Sequence, residues 1–196
     1  MQRLVVATHN THKTGEFRAV LGDRIPSISD LTSFPEISAP VEDGDSFEAN
    51  AQIKALHASR FLPDVVVLAD DSGLEVDALG GAPGIHSARY SGAGATDETN
   101  RAKLLRELAG CENRQARFRC VLTLAHQGQV LHTCSGAVEG TILLAERGDG
   151  GFGYDPLFVP EGQEQSFAEL PAETKNLISH RGRALKKLRG FLASSV

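Results

Sequence analysis

Five short apolar runs, set between stretches of helical periodicity, constrain this chain more than any other feature. The runs cover residues 4–8, 65–69, 118–125, 130–137 and 157–159, are rich in Val, Leu and Ile, and are bounded by Gly, Pro or Asp. Those are strand signals. Gln127-Gly128 between two of them reads as the turn of an antiparallel hairpin. Helices are expected at four places. Residues 13–21 put Phe17, Val20 and Leu21 on one side. Asp45 can cap a second helix to about Arg60, with Glu48 completing a capping box. Asp97 can cap a third, with Ala102, Leu105 and Leu108 at core spacing, and Ser179 a fourth that buries Leu185, Leu188 and Leu192. Hairpins mixed with β-then-α segments predict an α/β fold with a mixed, twisted sheet.

The 196 residues suit one domain with a real core, and no linker or repeat divides them. No apolar run approaches the roughly 20 residues a membrane span needs. Residues 1–8 carry one positive charge and read as a buried first strand rather than a signal peptide. Cys111, Cys120 and Cys134 are an odd number without C-x-x-C spacing, which predicts free thiols and a cytoplasmic location. A net charge of −5 argues against a nucleic-acid partner held by bulk electrostatics, but leaves room for a small anion.

Four segments carry candidate chemistry. In Thr8-His9-Asn10-Thr11-His12-Lys13 a strand ends, a polar loop follows and a helix begins. That is where helix N-termini offer N–H groups to phosphate in α/β sheets, with Lys13 adding a charge. The other reading is an ordinary polar turn. Next, Asp70-Asp71-Ser72-Gly73 follows an apolar strand. Neighbouring carboxylates repel, and a divalent cation relieves them; oxygen-only ligands favour magnesium or manganese. A solvated turn is the alternative. Glu42 is available as a third carboxylate.

The third segment, Gly148-Asp149-Gly150-Gly151-Phe152-Gly153, matches G-x-G-x-x-G, but Tyr154-Asp155-Pro156 follows where a dinucleotide fold needs a helix. Its glycines still allow close approach to a flat or charged ligand, with Phe152 and Tyr154 able to stack on a base and Asp155 to accept from it. A tight turn with core aromatics is the competing reading. The fourth, Lys175 to Arg181, puts His180 and Arg181 in the first turn of a helix, where a cation opposes the dipole and calls for an anionic or oxygen-rich partner. A surface arginine is the plain alternative. The loop 87–92 around Arg89 has no assigned role. No Walker A, G-x-S-x-G or H-E-x-x-H motif occurs.

The order and spacing of these segments resemble the inosine/xanthosine triphosphate pyrophosphatase family, in its bacterial dITP/XTP branch. The residues that carry this are Thr8-x-Asn10-x-x-Lys13, Asp70-Asp71-Ser72-Gly73-Leu74, Gly80-Gly81-Ala82-Pro83-Gly84 with Ser87 to Gly92, Gly151 to Pro156, and Lys175 with Ser179-His180-Arg181-Gly182. His9 departs from the glycine that several relatives carry. The resemblance implies one domain over residues 1–196, a long central mixed sheet between two α/β lobes, and a nucleotide cleft between them. It implies a homodimer. Residues Thr8, His9, Asn10, Thr11, His12 and Lys13 would hold phosphates. Glu42, Asp70 and Asp71 would hold magnesium (manganese a possible substitute), with Asp71 as proton acceptor. Ser72, Phe152, Gly153, Tyr154, Asp155, Lys175, His180 and Arg181 would contact the substrate. The implied reaction is water attack on the α-phosphorus of ITP, dITP or XTP, releasing pyrophosphate. A nucleotide sensor without turnover, or a pyrophosphatase for other modified nucleotides, are the rivals; the paired aspartates weigh against the sensor.

Overall fold

The computed structural model describes residues 2–194. Six strands, β1 (Arg3–Val6), β2 (Ser27–Asp30), β3 (Val66–Val76), β4 (Gln115–His126), β5 (Gln129–Ile142) and β6 (Phe158–Pro160), form one sheet in the order β2-β1-β3-β4-β5-β6. β1 is parallel to β2 and β3, and β5 is antiparallel to β6, so the sheet is mixed as the sequence predicts. Among the described residues five α-helices accompany it: α1 (Thr11–Leu21), α2 (Phe47–Phe61), α3 (Asp97–Glu107), α4 (Ala172–Ile178) and α5 (His180–Ser194). Gln127 and Gly128 both have positive φ, 51° and 72°, the two-residue turn that matches strand twist between β4 and β5. Among the described residues no helix is long and apolar enough to cross a membrane.

The chain divides into two compact units. Among the described residues the first comprises 2–71, 120–136 and 181–194. Strand alternation builds two core layers in it. Leu4, Val6, Leu68, Leu122 and Leu124 join Phe17 and Leu21 of α1 and Leu185 and Leu188 of α5. Val5, Ala7, Val67 and Ala69 turn the other way, onto Ala55 and Ala58 of α2. The sheet of this unit is therefore sandwiched, with each fully buried Leu or Phe contributing roughly 1.5–3 kcal/mol. The second unit comprises residues 72–119 and 137–180. Its core gathers Leu74, Leu104, Leu108, Phe118, Val138, Phe158 and Phe167, with the Phe118 and Phe158 rings edge to face at 4.8 Å. Strands β3, β4 and β5 each supply residues to both units.

Several boundaries differ from the sequence reading, each for a local reason. Asn10 caps α1, accepting from the His12 and Lys13 N–H groups, so that helix starts two residues earlier. Ser46 rather than Asp45 caps α2, bonding the Ala49 N–H, which leaves Glu48 in the first turn but outside a capping box. Thr96 caps α3 in a reciprocal capping box with Thr99, and Asp97 is its first helical residue. Of the expected core residues, Leu108 is fully buried and Leu105 half-buried against the core, whereas Ala102 is exposed; Asn100 and Leu104 complete the buried face of α3. β2 and α4 were not expected: β2 is only four residues with two polar ones, and α4 spans two turns. The loop around Arg89 is a 3-10 turn, Gly84–Arg89.

Candidate active site

The consequential difference lies in β3. The apolar run predicts a strand ending at residue 69, with both aspartates in the turn beyond; instead β3 continues to Val76 and Asp70 and Asp71 lie within it. The run stops reading as a strand because buried charges replace apolar residues, while the backbone pairing goes on. Successive side chains of a strand point to opposite faces. Asp70 follows Leu68 toward α1 and α5; Asp71 follows Val67 and Ala69 toward α2.

Each carboxylate meets its own set of cations. Asp70 is 2% exposed and lies 3.1 Å from Lys13 Nζ on α1 and 2.9 Å from Arg181 Nη2 on α5. Arg181, equally buried, also donates to Glu16 Oε2 of α1 at 2.5 Å. Asp71 Oδ1 accepts from Lys54 Nζ of α2 at 2.7 Å, and the same ammonium lies 3.1 Å from Glu42 Oε2. Burial by itself raises the Asp70 pKa, but Lys13, Arg181 and Lys54 outweigh it and hold the carboxyl well below the usual carboxylate range. At Asp71 burial, helped by the nearby Glu42 and Asp70 charges, prevails over the Lys54 ammonium and pushes the carboxyl up from its ordinary value. Burial would lower the Lys54 pKa, yet Asp71, Asp70 and Glu42 together raise it. One strand thus holds a firmly ionised carboxylate beside one that binds a proton more readily. Two neighbouring titratable groups driven apart by environment suit acid–base work.

Around them the N-terminal loop is already ordered. Thr8 Oγ1 accepts the Asn10 N–H at 3.1 Å, and Thr14 Oγ1 donates to the buried Asp30 at 2.7 Å, tying α1 to β2. His9, Thr11 and His12 are exposed, and Thr8, Asn10 and Lys13 half-buried. Thr8, His9, Lys13, Glu42, Lys54 and Asp70 line a cavity of about 150 Å³ in this unit. The buried Asn50 of α2 accepts the Gly44 N–H at 2.9 Å and so fixes the segment that carries Glu42.

The remaining predicted residues gather in the second unit. Ser72 is half-buried on β3. Asp155 Oδ2 accepts both the Phe152 N–H at 2.8 Å and Lys175 Nζ at 2.7 Å, while that ammonium lies 4.8 Å from the Phe152 ring centre. Tyr154 belongs to the core, its hydroxyl donating to Ser87 O at 2.9 Å. Phe152 keeps a partly exposed ring. His180 is stacked on Phe118, with ring centres 4.8 Å apart. Lys175 is on α4 rather than ahead of the last helix, and Arg181 lies with the first unit's carboxylates.

Sequence reasoning did not single out Lys54 or Glu16. A signal for Lys54 exists: it is the sole lysine in the small-residue helix Ala49 to Ala58, and a buried strand with two aspartates needs a cation from each side. Glu16 had no signal beyond being one turn from Lys13. Asp71 Oδ2 is buried and has no hydrogen-bond partner among the described residues, an acceptor suited to a cation or a water proton. No group of three His, Cys, Asp or Glu residues is poised for a metal among the described residues. Magnesium fits such a site nonetheless, since it commonly takes one or two carboxylates and completes its shell with water and phosphate.

The Ham1 family profile matches residues 4–191. A dITP/XTP pyrophosphatase of Geobacter sulfurreducens is 50% identical over 198 residues, covering 98% of this chain and 97% of that protein. One of Desulfotalea psychrophila is 49% identical over 186 residues, covering 95% and 83%. Among solved structures, the Staphylococcus aureus Ham1 protein superposes with a TM-score of 0.88 at 36% identity, covering all of both chains.

Proposed function

The chain belongs to the Ham1 family, and from that premise we propose that it hydrolyses non-standard purine nucleoside triphosphates, ITP, dITP and XTP, to the monophosphate and pyrophosphate. The observation that carries the reading is the split aspartate pair, one carboxylate held ionised and the other pushed toward proton binding, beside a cavity lined by Lys13 and Lys54. The names of relatives about half identical over nearly the whole chain support the substrate class.

In this reading α1 and its preceding loop take the triphosphate, with N–H groups at the helix start and the Lys13 ammonium as donors. Asp71 accepts the proton of the attacking water as its oxygen bonds to the α-phosphorus and the bridging oxygen leaves with pyrophosphate. Lys54 orients Asp71 and Glu42, and Arg181 keeps Asp70 charged. Glu42 and Asp71, with Asp70 next to Asp71 on β3, would hold magnesium, which when bound would supply positive charge for the phosphates and make water easier to deprotonate. The Phe152 ring stacks on the base, and Lys175 and His180 contact the nucleoside. The full reading is one catalytic domain, 1–196, working in the cytoplasm as a homodimer. The three free cysteines support the location and the family resemblance supports the dimer.

Product identification tests the reaction: with magnesium and a panel of ITP, dITP, XTP, ATP and GTP, we expect pyrophosphate and monophosphate from the first three in preference. Release of single phosphates would overturn it. Lys13→Ala should weaken triphosphate binding about ten- to hundredfold, the scale of a lost charge-assisted hydrogen bond, and monophosphate binding far less. Calorimetric titration of both ligands reads the difference, and equal losses would remove Lys13 from the phosphate chain.

A further inference from the structure

The loop that carries Phe152 is held by α3, a helix to which no role has been given. Gly153 donates its N–H to Asp97 Oδ2 at 2.7 Å and its carbonyl accepts from Arg101 Nη1 at 3.0 Å. Asp97 and Arg101 are four residues apart on α3, so one helix face holds both polar groups of a single loop residue. Each partner is itself fixed. Asp97 is the first helical residue after the Thr96–Thr99 capping box, and Arg101 Nε forms an ion pair with Glu146 Oε1 at 2.9 Å. Gly153 has φ of +62°, a conformation that other residues adopt at a cost of roughly 1 kcal/mol or more.

We infer that Asp97 and Arg101 are positioning residues for nucleoside recognition, acting through the Gly153 backbone to aim the Phe152 ring. The inference rests on the proposed placement of the nucleoside at this loop. Two further anchors fix the loop: Asp155 takes the Phe152 N–H, and Tyr154 is tied to Ser87 O. Those anchors engage Phe152, Asp155 and Tyr154, whereas the N–H and C=O of Gly153 both bond to α3, so α3 sets the orientation of the chain just after Phe152. A helix that only capped the loop for stability would need one such bond. Two, on the N–H and the C=O of the same residue, define a direction.

Asp97→Ala removes the acceptor and a first-turn charge; Asp97→Asn removes the charge but keeps an acceptor oxygen. With the full chain and magnesium, Asp97→Ala should raise KM for ITP about tenfold, as for one lost hydrogen bond to a charged group, with kcat falling far less. Inosine monophosphate binding should weaken by a similar factor, whereas tripolyphosphate, which has no base, should bind as to the wild type. Asp97→Asn should recover most of the loss, and Arg101→Met should repeat the Asp97→Ala pattern. Equal weakening of inosine monophosphate and tripolyphosphate, or no change in either, would overturn the inference. So would a failure of Asp97→Asn to recover binding. If the wild type binds these nucleotides but releases no pyrophosphate, the proposed reaction fails while the binding comparison still decides the role of α3.

Discussion

Asp71→Asn should lower the rate of the chemical step by about 100- to 10,000-fold, the usual loss when general-base assistance is removed. Asn has the same shape and can keep an oxygen toward Lys54, so the fold should survive. It cannot take a proton from water, and it is a weaker ligand for magnesium. The expected signature in single-turnover kinetics is a folded variant that still binds nucleotide and barely turns it over. Near-normal chemistry would assign the proton to another group. Asp71 is the better candidate of the pair because burial pushes its pKa up and one of its oxygens is buried without a hydrogen-bond partner among the described residues. Asp70, held far more acidic by Lys13 and Arg181, is a poor base and a good fixed charge.

Arg181→Ala has the largest expected effect on stability. It leaves Asp70 and Glu16 without the guanidinium that bridges them, and removing one partner of a buried ion pair typically costs about 3–5 kcal/mol. For a chain of this size that corresponds to a fall in Tm of roughly 6–20 °C. The pH dependence has a definite sign. A carboxylate whose folded pKa is depressed adds stability above its unfolded pKa of about 3.9 and loses it as pH falls through the folded value. Arg181 supplies part of that depression. The stability gap between wild type and variant should therefore be widest near neutral pH and narrow below about pH 4. Denaturant unfolding at pH 7 and at pH 3 measures it, and a constant gap would mean that Arg181 acts through packing alone. The ratio of kcat/KM for ITP to that for ATP adds a separate test. A specific fall in that ratio gives Arg181 a share in reading the base oxygen, whereas parallel losses confine it to the ion pair.

The sequence told more about elements and motifs than about which side chains meet. β1, β4 and β5 show as apolar runs; burial is continuous over residues 4–6 of β1 and 120–125 of β4, whereas β5 is exposed or half-buried in its first half and reads as a strand through its hairpin turn. The reading failed where charge entered a buried strand. At Asp70 the apolar run ends but the hydrogen-bonded ladder does not, and ladder continuity has no compositional mark. Pairings such as Glu16 with Arg181, 165 positions apart, depend on packing between α1 and α5 that no local pattern reports. The motif residues were visible because each segment has a locally costly feature, such as adjacent carboxylates or a cation at a helix start. Glu16, Asp97 and Arg101 carry no such cost. A glutamate, aspartate or arginine on a helix looks like ordinary solvated surface until its partner is known.

The alternation of β3 makes the arrangement a matter of odd and even. A single residue inserted or deleted between Val66 and Ala69 would hand Asp70 to α2 and Asp71 to α1 and α5, exchanging their counter-ions while leaving composition, motif and net charge intact. Two residues would restore each carboxylate to its side of the sheet, displaced along the strand by roughly 7 Å. Length changes that the surface turns of this chain can absorb are thus barred from one stretch of four residues. What is guarded there is a count, and substitutions that keep the stretch apolar leave that count untouched.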